Sequence, residues 1–113
     1  MEASRKQLRV YEDALGARPF EAWLWRLKDV KGRAIIRARI ARLMLGNVGD
    51  SKPVGEGVYE ARIAFGPGYR VYYAPEGQVV ILLLCGGDKG SQRRDIELAK
   101  RCLADYRRLT EDA

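Results

Sequence analysis

The run VVILLLC at positions 79–85 is apolar throughout and is bounded by Gly77 and Gln78 before it and by Gly86 and Gly87 after it. It is far shorter than the roughly 20 residues that a membrane-crossing helix needs. A short apolar run between turn signals reads as a strand, and a strand without a polar face must be covered on both sides. The chain therefore has to build a sheet around this segment, with packing above and below it.

Neighbouring segments supply the rest of the sheet. Positions 58–65, 69–74 and 78–85 are strand-like and are joined by tight turns at Gly66-Pro67-Gly68 and at 74–77, the pattern of an antiparallel meander. Leu8 and Val10 alternate with Gln7, Arg9 and Tyr11, the period of a half-buried strand, before positions 16–19 turn the chain. Positions 46–57 hold several glycines and break all periodicity, so they read as a loop, with Lys52 its only cation.

Three helices complete the pattern. Pro19 suits a first helical position, and Phe20, Trp23, Leu24 and Leu27 form one stripe that carries a helix to about Asp29. Trp23 is expected as a core anchor, with a base-stacking platform as the competing role. Over 31–45, Ile36, Ile40, Leu43 and Met44 make the apolar stripe, and Arg33, Arg37, Arg39 and Arg42 take the other faces, as a solvated surface or as a docking surface. After Gly90, with Ser91 as N-cap, Ile96, Ala99, Cys102, Leu103 and Tyr106 define a carboxy-terminal helix. The expected fold class is α+β: an amino-terminal strand and two helices packed on a small antiparallel sheet, then the last helix, in one domain over 1–113. At 113 residues and 47% apolar content the core needs no disulfide or metal.

Charge narrows the partners. A net charge of +6 and a pI near 9.6 favour polyanions or acidic proteins. The first 13 residues are rich in charge, so a cytoplasmic protein without signal peptide or membrane segment is expected. Cys85 and Cys102 read as buried thiols. Histidine is absent, which removes the usual general acid and base near neutral pH; catalysis would have to use Lys, Arg, Tyr or carboxylates. Ligand spacing for a metal is also missing, so no metal or other cofactor is expected.

Those groups gather in the hairpin. Alternation puts Glu60 and Arg62 on one side of their strand, and Arg70 and Tyr72 on one side of the next. If Phe65 pairs with Tyr69, Arg62 faces Tyr72 and lies diagonal to Arg70, at about 7–8 Å. Arginines that close repel unless an anion intervenes. The anion is either a substrate phosphate or Glu60, paired with one arginine as a surface salt bridge. Farther on, Gly86-Gly87-Asp88-Lys89-Gly90-Ser91-Gln92 delivers Lys89 to a strand end and exposes free amides at a helix start, an anion-binding arrangement.

With these residues in view, the chain resembles the RelE/ParE superfamily of toxins, in its HigB-like branch of addiction-module killer proteins. The similarity runs from about Gln7 to Ala104 through FEAWLWRLKD, RLMLGNVGDSKPVGEGVYEARI, GPGYRVYY and LLLCGGDKGSQRRDIELA. It implies a RelE-like fold and cleavage of messenger RNA in the ribosomal A site through attack by a ribose 2′-hydroxyl. It also implies a cognate helix-turn-helix antitoxin as partner.

Carried over by position, Arg70 contacts the scissile phosphate, and Lys89 protonates the leaving group or stabilises charge. Lys52 and Arg62 are the basic residues before and on the second strand. Tyr72 orients a base, Gln92 contacts a nucleotide, and Glu60 or Lys52 stands in as general base, because the histidine of several relatives is missing and the only late tyrosine is Tyr106. The superfamily also implies an alternative, a ParE-like DNA gyrase poison that acts by protein binding.

Overall fold

A computed structural model describes residues 5–111. The elements are β1 (Gln7–Val10), α1 (Pro19–Arg26), α2 (Val30–Met44), β2 (Ser51–Gly55), β3 (Val58–Arg62), β4 (Arg70–Glu76), β5 (Val80–Gly87) and α3 (Gln92–Glu111), with a 3-10 turn at Lys89–Ser91. They form one five-stranded sheet in the order β1-β5-β4-β3-β2. β5 is interior, and every residue from Ile81 to Gly87 is buried, as its apolar run requires.

Each face of the sheet has its own core. On one side Phe20, Leu24, Ile36, Ile40 and Leu43 of α1 and α2 pack on Val71, Tyr73, Ile81 and Leu83. On the other, Ala99, Cys102 and Leu103 of α3 pack on Val58, Tyr72, Leu82 and Leu84. α3 is tied to the amino-terminal end by Tyr11, whose hydroxyl donates to Asp105 Oδ2, and by Arg9, which donates to Tyr106. Both cysteines are buried free thiols; burial raises both, Cys102 to about 11.

Several expectations need correction. The sheet is mixed: β1 runs parallel to β5, while the other pairs are antiparallel. α1, α2 and the meander separate β1 from its partner, which leaves the length that a parallel crossover needs. The expected loop contains β2, an edge strand whose Lys52, Pro53 and Gly55 are exposed. An edge is where a proline without an N–H group is tolerated, and exposure leaves no apolar alternation to read.

Helix boundaries also move. α1 stops at Arg26, because Asp29 caps α2 by accepting from the Gly32 amide at 2.8 Å. That bond, and then the Tyr69 hydroxyl at 2.8 Å, hold the Asp29 carboxyl below its usual range. Asp88 caps the 3-10 turn before α3 by accepting from the Gly90 amide, and Ser91 completes that capping box by accepting from the Asp88 amide. Arg39 is only 4% exposed and does not join the basic face of α2. It stands three residues after Ile36 and four before Leu43, on the apolar stripe, where burial and Arg42 lower its guanidinium.

Candidate functional site

The candidate site lies on the α3 face of the sheet, near the first turn of α3. The β3–β4 connection is longer than a minimal turn, since the Ile63 amide donates to the Tyr69 carbonyl at 2.9 Å. The register therefore sets Arg62 directly opposite Arg70, and Glu60 opposite Tyr72. The diagonal placement expected from a Phe65–Tyr69 pair is replaced by a closer meeting of two like charges.

Glu60 resolves that repulsion. Its carboxylate is fully buried and stands 3.6 Å from Arg62 Nε and 3.7 Å from Arg70 Nε. Tyr72 donates its hydroxyl to Glu60 Oε2 at 3.0 Å, and Gln92 Nε2 donates to the same oxygen at 2.9 Å. Of the two anions weighed from sequence, the chain's own carboxylate is present, but it is an interior counter-ion to both arginines rather than a surface salt bridge to one.

Both ion pairs exceed hydrogen-bond length. Glu60 Oε1, Arg62 Nε and Arg70 Nε are buried without a hydrogen-bond partner among the described residues. Unmet polar atoms of this kind are costly to bury, and a catalytic role is one of the reasons for which proteins keep them.

The cations differ in reach. The Arg62 side chain is 41% exposed, whereas that of Arg70 is 9% exposed. Arg70 is held from below, with Nη1 donating to the Gly68 carbonyl at 2.6 Å. Gly68 has a φ of 80°, and a Cβ there would sit 3.1 Å from Arg70 Nη1 and 3.5 Å from Lys89 Cβ. Arg70 and the exposed Lys89 thus converge on this one glycine. Lys52 is the β2 partner of Glu60, so its side chain rises on the same face. Glu60 pairs with Arg62 and Arg70, while Lys52 shares its sheet face and Lys89 lies beside Gly68, which leaves a positive surplus open to solvent at Arg62, Lys52 and Lys89.

Two expected roles change. Tyr72 is fully buried, so it cannot stack on or orient a base; burial and then its bond to Glu60 push its hydroxyl well above the ordinary range. Glu60 is equally inaccessible and serves as an internal anchor, neither a substrate ligand nor a base. Gln92 spends its amide nitrogen on Glu60, tying α3 to the site. Gly68 was missed as a functional residue, although the Gly-Pro-Gly turn beside Arg70 was a usable signal. So was Gly87, which pairs with Arg70 across β4 and β5.

No family model matches the chain. It is 51% identical over 81 residues to an uncharacterized protein from Haemophilus influenzae, an alignment covering 72% of this chain and 82% of that protein.

Proposed function

We propose that this chain, which belongs to the same family as the Haemophilus influenzae protein, is a RelE-like, HigB-type toxin that cleaves messenger RNA on the ribosome. The observation carrying this reading is the pair Arg62 and Arg70 held by buried Glu60, with Lys52 on the same sheet face and Lys89 beside Gly68. Cleavage by a ribose 2′-hydroxyl forms a bond from that oxygen to phosphorus and breaks the bond to the 5′-oxygen, passing through a phosphorane with added negative charge. Fixed cations stabilise such a state without reorganising.

Within this mechanism Arg62 and Lys89 meet the phosphate, being solvent-open cations on either side of the recessed Arg70. Lys89 supplies a proton or charge to the departing 5′-oxygen. Arg70 acts mainly from below the surface, its charge partly offset by Glu60. Lys52 favours the ionised form of the attacking hydroxyl, whose proton passes to solvent water. Glu60 keeps the arginines together when substrate is absent.

A helix-turn-helix antitoxin is the proposed partner, its acidic surface complementing the +6 charge of the chain. Among the described residues no helix is long and apolar enough to cross a membrane.

The test is to induce the chain without antitoxin and map new messenger RNA ends, beside Arg62→Ala and Lys89→Ala variants. Cuts within translated codons that disappear in both variants support the nuclease. Growth arrest with intact messages and damaged DNA would assign the chain to the gyrase-poison class instead.

A further inference from the structure

Resting on the nuclease reading, we propose that the cleft between α1 and α3 binds the base of the RNA nucleotide flanking the cleaved bond. The cleft has a volume of about 710 Å³, inside the range of about 300–1,000 Å³ usual for small-ligand sites. Its floor is Gly86 and Gly87 at the end of β5, and both must lack a side chain. A Cβ on Gly86 would come within 2.3 Å of the Trp23 ring, and one on Gly87 within 1.8 Å of Asp95 Oδ2. The bare backbone is what seats the Trp23 ring over Gly86 and Asp95 over Gly87, fixing two walls of the cleft.

One wall is the half-buried Trp23. Its indole is braced by Phe20 at 5.8 Å and Tyr69 at 6.1 Å between ring centroids, so it is held in place while part of it still lines the cleft. The two roles weighed for Trp23 are thus compatible, since core contact fixes the ring that a base would meet. Arg26, one turn further along α1, and Arg94, from the first turn of α3, are exposed and also line the cleft. Two carboxylates complete the lining. Asp95 Oδ2 accepts from Ser91 at 2.5 Å, and Asp88 Oδ1 accepts from the Gly90 amide at 2.8 Å.

This chemistry selects a nucleotide over a simple anion or an apolar ligand. Unpaired RNA bases are read by stacking on aromatic rings or arginine planes and by hydrogen bonds to their edges. Carboxylates accept from exocyclic amino groups, and rim arginines match phosphate. An inorganic anion has no use for the indole, and an apolar ligand has none for the four charges.

Position ties the cleft to the site described above. Gly87 is the ladder partner of Arg70, on strands about 4.8 Å apart, and Asp88 immediately precedes Lys89. A phosphate held by Arg62 and Lys89 therefore places an adjoining base at the mouth of this cleft.

The test uses the two tryptophans of the chain. Trp25 is 76% exposed, so Trp25→Phe leaves Trp23 as the only indole in a folded protein. The probe is an RNA trinucleotide with 2′-deoxyribose at its centre, which cannot be cut. Saturable quenching of Trp23 is expected, weakened tenfold or more by Arg26→Gln with Arg94→Gln and lost with a trinucleotide carrying abasic sugars. Inorganic phosphate alone should not quench.

In parallel, ribosome-bound message cut by Arg94→Gln should show a changed base preference beside the cut. Quenching that is insensitive to the arginine changes and to base removal, or no quenching at all, overturns the cleft assignment. Message cutting with unaltered base preference does so while leaving the nuclease standing. Base-dependent quenching without message cutting keeps the RNA site and removes the nuclease reading.

Discussion

The two faces of the sheet solve different problems with the same strands. Toward α1 and α2, β4 contributes Val71 and Tyr73 to an apolar core in which Tyr73 stacks on Tyr59 at 5.8 Å. Toward α3, the alternate residues of β3 and β4 are Glu60, Arg62, Arg70 and Tyr72, and charge is buried there. The first face is filled mainly by shape, with the buried Arg39 of α2, whose Nη1 is unmatched, as its exception. The second has to balance several charges, and it leaves Glu60 Oε1, Arg62 Nε and Arg70 Nε unmatched. Stability is concentrated on one side and reactive potential on the other, so substitutions on the two faces should separate folding from function.

The largest effect on folding should come from the apolar face. Leu43→Ala, at a position 1% exposed, should lower the free energy of unfolding by about 2–5 kcal/mol, read from urea denaturation, and reduce cutting only in proportion to the folded fraction. Glu60→Gln keeps the size of the side chain but removes the charge between the arginines. It should cost about 1–3 kcal/mol, less than for a fully enclosed pair because Arg62 is partly solvated, and cutting should fall further than folding does. Equal losses would erase the distinction between the faces.

Acid should act on the faces with opposite sign. The Asp29 carboxyl is lowered by the Gly32 amide and by Tyr69, so its contribution is present above the unfolded value and is lost as pH falls through the folded one. The Asp95 carboxyl is raised, chiefly by burial, so its folded form takes up a proton first and stability declines as pH rises through that window. Asp29→Asn should flatten the acid side of the stability–pH curve, and Asp95→Asn should steepen it. Thermal midpoints between pH 3 and pH 6 give the readout. The smallest folding effect is expected for Lys52→Ala, within about 0.5 kcal/mol by urea denaturation, with reduced cutting of ribosome-bound message.

Legibility in the sequence followed the same division. The apolar run before Gly86 established an interior strand covered on both sides, and the stripes of α1, α2 and α3 were plain because burial on one helical face leaves a period. β2 left none, being an exposed edge with a proline. The parallel pairing of β1 with β5 was unreadable too, since alternation marks a strand without naming its neighbour.

At the site, residue types were informative and depth was not. Glu60, Arg70 and Tyr72 are polar, so pattern alone placed them at the surface, whereas α3 lies across them and Gln92 reaches down to Glu60. The register depended on where the Gly66-Pro67-Gly68 turn closed, and closing it at Ile63 and Tyr69 set the two arginines face to face. Arg39 was misplaced on the basic face, although its spacing from Ile36 and Leu43 matches the buried stripe.

The central claim is that the cations around Glu60 cut RNA. The most direct measurement is cleavage of ribosome-bound message by the purified chain, compared with an Arg62→Ala, Lys89→Ala double variant whose circular dichroism and unfolding midpoint match the parent. The account predicts cutting within codons by the parent and at least a hundredfold slower cutting by the variant, equivalent to about 2.7 kcal/mol of lost transition-state stabilisation. Equal rates from two equally folded proteins, or an intact message with both, would contradict it.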